Sequence, residues 1–170
     1  MLRVTCQASP EAAKAYFSAA DYLSEGQELV GHWGGNAASL LGLQGTVDKQ
    51  SFDRLCDGLD PRTGEKLTSK LVTGRRAGYD FTWSVPKSVS VLYAATQDQR
   101  LVDAFRDSVR ETMQELEREM MTRVRVGGQN TDRPTGNMVW AEFVHFTTRP
   151  INGEPDPQLH VHAFALNITK

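Results

Sequence analysis

The sequence contains no long apolar run. Nothing in its 170 residues approaches the roughly 20 apolar residues that cross a bilayer, and MLRVTCQASP lacks the apolar stretch of a secretory leader. A cytoplasmic protein is therefore expected. Charge of one sign is also missing: 19 Lys and Arg stand against 21 Asp and Glu, for a net charge of −2. No global basic field announces a nucleic-acid partner, so a polyanion would have to be gripped locally. Cysteine is scarce. Cys6 and Cys56 form no C-x-x-C pair and read as free buried thiols in a reducing compartment, with no disulfide or metal role. There is no internal repeat and no low-complexity tract. A hydrophobic content of 39% and a charged content of 24% are ordinary for a soluble globular protein, and the length suits one domain with a real core.

The local patterns mix helices and strands. Residues 2–6 read as a short strand. Ser9 then offers an N-cap, with Pro10 at N1 and Glu11 in the first turn, for a helix running to about Ser24 and carrying Tyr16, Phe17, Tyr22 and Leu23. NAASLLGLQG is a short helical turn, and VDKQSFDRLCDG a helix capped by Asp48. The stretch 57–78 is rich in turn formers and basic residues; it reads as a solvated loop or a mobile arm touching phosphates. GYDFTWSVP alternates: Tyr79, Phe81, Trp83 and Val85 share one face, Asp80, Thr82 and Ser84 the other. A helix follows Pro86 and Lys87. From Asp98 to about Arg123 the apolar positions Val102, Phe105, Val109, Met113, Leu116 and Met120 mark one helical face. GGQNTDRPTGN reads as turns, and strands are expected at about 138–147 and 158–168.

The last two strands carry the chemistry. His160 and His162 are two apart, and strand neighbours at i and i+2 project from one face. Two imidazoles side by side on an inner face are costly unless something uses them. Between them and His145 lies TTRPINGEPDPQL, with Asn152-Gly153 near its centre, a strong fold-back signal. A hairpin centred there sets His145 opposite His160 and Phe143 opposite His162. All three histidines then converge on one patch, which points to a metal site rather than to core histidines bonded to backbone. His32, in GHWGG, has no such company.

A metal-bound imidazole usually donates its other N–H to a carboxylate or carbonyl. Asp80, on the polar face of a strand, is the candidate; a polar cap or an arginine partner is the alternative. Three neutral ligands leave a divalent ion its full charge and open positions, which suits polarising a phosphate better than redox work. No Ser or Cys motif supplies a nucleophile. The early helix offers Tyr16 and Tyr22, which otherwise read as packing residues.

As a set, PQLHVHAFALN, EFVHFTTR, GYDFTWSVPKSVSVL, LLGLQGTVDKQSFDRLCDG and PTGNMV resemble the relaxase domain of the MobF class of conjugative relaxases, in the HUH endonuclease superfamily. The resemblance implies an α+β fold with a central antiparallel sheet of the ferredoxin or palm type and helices on one face. It assigns metal ligation to His145, His160 and His162, and the orienting carboxylate to Asp80. The implied activity is metal-dependent nicking of single-stranded DNA at a plasmid transfer origin. A tyrosine attacks one phosphodiester to give a 5′-phosphotyrosyl strand and a free 3′-OH, and later transesterification rejoins the strand. Mg²⁺ or Mn²⁺ is the implied ion, with Zn²⁺ or Ni²⁺ able to occupy the site. Single-stranded origin DNA, accessory relaxosome proteins and a coupling protein are the implied partners, in a bacterial cytoplasm.

Two departures stand out. The family typically carries doubled tyrosines at two places, whereas this chain reads Tyr16-Phe17 and Tyr22-Leu23. The nucleophile maps onto Tyr16, with Tyr22 as second tyrosine or alternative nucleophile. The family's domain also continues well past the histidine strand, so residues 1–170 read as a relaxase domain truncated at its C-terminal end. Arg75, Arg76, Lys87 and Arg149 are the basic residues nearest the site in sequence; they would touch phosphates if they line the cleft and are solvated charges otherwise. Three other readings compete: a replication initiator or transposase of the same superfamily, a cupin-like metal oxygenase, and a catalytically dead DNA-binding relative. The first usually places its tyrosine after the histidines, and the long helix argues against the second.

Overall fold

The structure, a computed structural model, describes residues 1–18, 29–68, 74–148 and 155–169. Among the described residues, seven strands and five helices follow in the order β1 (Leu2–Gln7), α1 (Pro10–Ser18), β2 (Leu29–Gly34), α2 (Asn36–Leu40), α3 (Lys49–Asp57), β3 (Gly78–Ser84), α4 (Lys87–Thr96), α5 (Gln99–Arg118), β4 (Met121–Val126), β5 (Gln129–Pro134), β6 (Trp140–Thr147) and β7 (Pro157–Leu166). Five strands form one antiparallel sheet in the order β1-β3-β7-β6-β2, while β4 and β5 pair with each other in a second, two-stranded sheet.

The centre of the sheet is apolar on both sides, and both sides are covered. On β7 one face carries His160, His162, Phe164 and Leu166; the other carries Leu159, Val161, Ala163 and Ala165. The first face meets Ala13 and Phe17 of α1 and Phe52, Leu55 and Cys56 of α3. The second meets Tyr93 of α4 and Val102, Val109 and Met113 of α5. The expected α+β antiparallel architecture is the one adopted, but helices lie against both faces rather than one. Two apolar faces on the same strands leave no other way to exclude water.

Local signals account for the helix ends. The Ser9 hydroxyl accepts the Ala12 N–H at 3.1 Å, and the Asp48 carboxylate accepts the Ser51 N–H at 2.8 Å, with Gly58 closing α3 in the left-handed conformation. The part of the expected first helix beyond Ser18 lies outside the described residues.

The structure departs from the expected elements in several places. The long helix stops at Arg118 rather than near Arg123, β4 follows it, and the segment 127–137 read as turns supplies β5, which pairs with β4 as a two-stranded ribbon. Thr122, Val124 and Val126 alternate with arginines, and Gly127 and Gly128 both hold the positive φ that a two-residue hairpin turn requires. Strand β2 was not foreseen. Its glycines are dictated by close approach: a Cβ on Gly31 would come within 2.4 Å of the Phe143 ring, and one on Gly34 within 2.4 Å of the Trp140 indole. Cys56 is buried as expected, but Cys6 is exposed; both are free. Among the described residues, no helix is long and apolar enough to cross a membrane.

Candidate active site

The hairpin register is the expected one. His145 stands opposite His160, and Phe143 opposite His162, although the Asn152-Gly153 turn itself lies outside the described residues. Opposed and alternate residues share a face, so the three imidazoles form a triangle. Ring centres are 5.0 Å apart for His145 and His160, 5.2 Å for His145 and His162, and 5.1 Å for His160 and His162. His145 and His162 are only 5% and 6% exposed.

Strand β3 brings the carboxylate. Its register sets Thr82 opposite His162 and Asp80 opposite Phe164, so Asp80 is the diagonal neighbour of His162, within side-chain reach. Asp80 Oδ2 lies 2.8 Å from His162 Nδ1, and the Thr82 hydroxyl is 3.4 Å from both atoms. His160 Nδ1 is 2.8 Å from the carbonyl oxygen of Gln158, to which it donates as the Nδ1–H tautomer. With both Nδ1 atoms taken, Nε2 is the donor that His160 and His162 offer. Burial pushes His160 down to about 4, with its two histidine neighbours adding to the shift. That keeps the ring neutral near pH 7, as a metal ligand must be.

The residues fit a divalent ion. Three imidazole nitrogens at about 2.1 Å from one ion, at near-tetrahedral angles, hold their ring centres about 5 Å apart, which is the size of this triangle. Among the described residues no set of three or more His, Cys, Asp or Glu side chains stands at metal-binding geometry, so ligation would require these side chains to move onto an ion. Asp80 Oδ1 is buried and has no hydrogen-bond partner among the described residues. An orphaned carboxylate oxygen is rarely left in a core without a reason.

Helix α1 delivers the tyrosine. The Tyr16 ring centre is 6.2 Å from that of His162, edge to face. Its neighbour Phe17 points into the core, fully buried against Phe143 and Phe164 at 5.5 and 4.7 Å. Adjacent helical residues face about 100° apart, so only one of the two can look onto the triangle. Tyr22 lies outside the described residues.

The basic residues are less concentrated. Arg75 and Arg76 precede the far end of β3, about 20 Å from the triangle by strand rise. Arg75 donates to the Asn167 carbonyl, and Arg76 to the Tyr79 hydroxyl. Lys87 is at the triangle's end of the sheet, but its ammonium is engaged by Asp156 Oδ2 and the Pro157 carbonyl. Arg149 lies outside the described residues. His32 is on the opposite face, paired with Glu142. There a cavity of about 560 Å³ opens between β2 and α5. Its two buried carboxylates are already satisfied: Glu142 by Arg106 and Arg110, Glu117 by the Asn36 and Met138 N–H groups. Sequence reasoning missed the Gln158 carbonyl as the partner of His160. Backbone partners leave no residue-type signal.

An antiparallel sheet with three clustered histidines on β6 and β7, a buried aspartate against one of them and a tyrosine from the first helix narrows the class of protein. The chain belongs to the TrwC relaxase family, whose sequence profile matches residues 10–170, and its fold is the HUH endonuclease fold. It is 41% identical over 139 residues to the multifunctional conjugation protein TraI of Escherichia coli strain K12, a match covering 81% of this chain and 8% of that protein. The metal-bound structure of the conjugative relaxase TrwC in complex with oriT DNA superposes with a TM-score of 0.83 at 32% identity, covering 100% of this chain and 58% of that one. TrwC complexed with a 27-mer DNA comprising the recognition hairpin and the cleavage site gives 0.81 at 30%, covering 100% and 56%. This chain thus spans less than two thirds of the length of these relatives.

Proposed function

We propose that this chain is a tyrosine-nucleophile DNA strand transferase that nicks one strand of a plasmid transfer origin for conjugative transfer. The observation that carries the reading is the Tyr16 ring set against His162 at 6.2 Å, beside a three-histidine triangle. Membership of the family and the likeness to TrwC bound to oriT DNA support it.

In this reading the Tyr16 Oη–phosphorus bond forms as the P–O3′ bond breaks. The phenol gives up its proton, the departing 3′ oxygen takes one up, and the products are a 5′-phosphotyrosyl strand and a free 3′-OH. Attack by a 3′-OH reverses the step and rejoins a strand. His145, His160 and His162 would hold a divalent ion, Mg²⁺ or Mn²⁺, which supplies charge neutralisation at the non-bridging phosphate oxygens when bound. Asp80 fixes the tautomer and orientation of His162. Phe17 keeps the position after the nucleophile in the core. Tyr22 is the second tyrosine of this proposal. Phosphate contacts from Arg75, Arg76, Lys87 and Arg149, accessory and coupling proteins, and a bacterial cytoplasmic setting belong to the same proposal. So does the assignment of residues 1–170 to one relaxase domain.

Incubation with labelled single-stranded transfer-origin DNA and Mn²⁺ should give a covalent adduct on a denaturing gel, lost on chelation. A metal-loaded protein that forms no adduct with any transfer origin would overturn the reading in favour of a catalytically dead DNA-binding module.

A further inference from the structure

The β6–β7 ladder slips between His145 and Thr147, and just there α4 takes hold of β7. The Ser90 hydroxyl oxygen, 2% exposed with its residue, accepts the Leu159 N–H at 3.0 Å. The Leu159 carbonyl accepts the Val85 N–H at 3.3 Å. One turn before Ser90, on the same helical face, Lys87 donates to the Pro157 carbonyl at 2.9 Å and to Asp156. Asp156 is in turn tied to Thr148 by the Thr148 N–H to Asp156 carbonyl bond at 2.9 Å and by the Asp156 N–H to Thr148 hydroxyl bond at 3.1 Å.

The Leu159 N–H and the Gln158 carbonyl are two ends of one peptide unit, which is planar. Holding the N–H therefore fixes the direction of the carbonyl, and that carbonyl is the 2.8 Å partner of His160 Nδ1. We propose that Ser90 is a positioning residue for His160: by gripping the 158–159 peptide plane, it selects the Nδ1–H tautomer and turns Nε2 toward the triangle. Two of the three histidines then owe their tautomer to different devices. His162 has a side-chain carboxylate from β3, and His160 has a backbone carbonyl held from α4. The consequence for ion binding rests on the metal-site reading above; the tautomer itself does not.

The test uses the ion-free protein near neutral pH, where two-bond nitrogen–proton NMR spectra report the His160 tautomer. Wild type should show the Nδ1–H form alone. Ser90→Ala, which only removes the hydroxyl from a helical position and so should still fold, is expected to populate both tautomers. Ser90→Thr, which restores the hydroxyl, is expected to return to the single form. Mn²⁺ titration should then show affinity about tenfold weaker in Ser90→Ala and near wild type in Ser90→Thr, the scale of loss seen for groups that orient ligands. A folded Ser90→Ala that keeps the Nδ1–H form alone overturns the proposal. Failure of the metal-site reading would look different: His160→Ala would bind Mn²⁺ as tightly as wild type, whatever the tautomer result.

Discussion

Asp80 Oδ2 lies 2.8 Å from His162 Nδ1 across two neighbouring strands, and both side chains are almost wholly buried. The pair is set by register. Thr82 is opposite His162, so a carboxylate two residues before Thr82 on the same face reaches the ring diagonally. No loop is needed, and the position of the ring is as rigid as the sheet.

Removing that carboxylate should weaken ion binding before it affects anything else. Asp80→Ala is expected to lower Mn²⁺ affinity by about 10- to 100-fold, read by titration calorimetry. Asp80→Asn keeps one acceptor oxygen and should lose less.

Phe17 tests the missing half of the tyrosine doublet. It is fully buried among Phe52, Phe143 and Phe164, so a hydroxyl added there has no water to meet. Phe17→Tyr should cost about 1–3 kcal/mol of stability in denaturant titration. It should also supply no nucleophile: the double variant Tyr16→Phe with Phe17→Tyr should form no DNA adduct at residue 17.

Cys56 gives a pH signature. Burial pushes its thiol up to about 12, against the nearby Lys14 ammonium. The folded chain therefore holds this proton where the unfolded chain, near pH 9, has released it. The contribution is intact below about pH 9 and is lost as pH rises toward 12, on the order of 4 kcal/mol. Stability measured against pH should fall less steeply above pH 9 in Cys56→Ala than in wild type. Exposed Cys6 should react with a thiol reagent at neutral pH while Cys56 does not.

Glu117 should matter for the fold and not for the site. Its Oε1 accepts the Asn36 N–H at 2.7 Å and the Met138 N–H at 2.8 Å, tying the end of α5 to α2 and to the approach to β6. Glu117→Ala leaves two backbone donors without their carboxylate and is expected to cost about 2–3 kcal/mol. Mn²⁺ affinity of the folded protein should be unchanged.

The triangle was legible because strand geometry is local. Once Asn152-Gly153 marked a fold-back, a period of two and an antiparallel register placed His145, His160 and His162 on one face, and the alternation around Asp80 placed the carboxylate. The ribbon β4–β5 was less legible. The amphipathic pattern of α5 runs on past Arg118 through Met120, and a helical period masked the strand alternation from Thr122 to Val126. Strand β2 was hidden by its glycines, which read as breakers and are there because Phe143 and Trp140 leave no room for a Cβ. The second helical layer could not be read from any one element. It follows from β6 and β7 being apolar on both faces at once.

In the proposed reaction Tyr16 is the residue that joins DNA. The direct measurement is peptide mapping by mass spectrometry of the adduct formed on single-stranded transfer-origin DNA with Mn²⁺, in wild type and in Tyr16→Phe. The nucleotide is expected on the peptide containing Tyr16, with no adduct in Tyr16→Phe although that variant binds Mn²⁺ as wild type does. An adduct carried by Tyr22 in wild type, or one that persists in Tyr16→Phe, would contradict it.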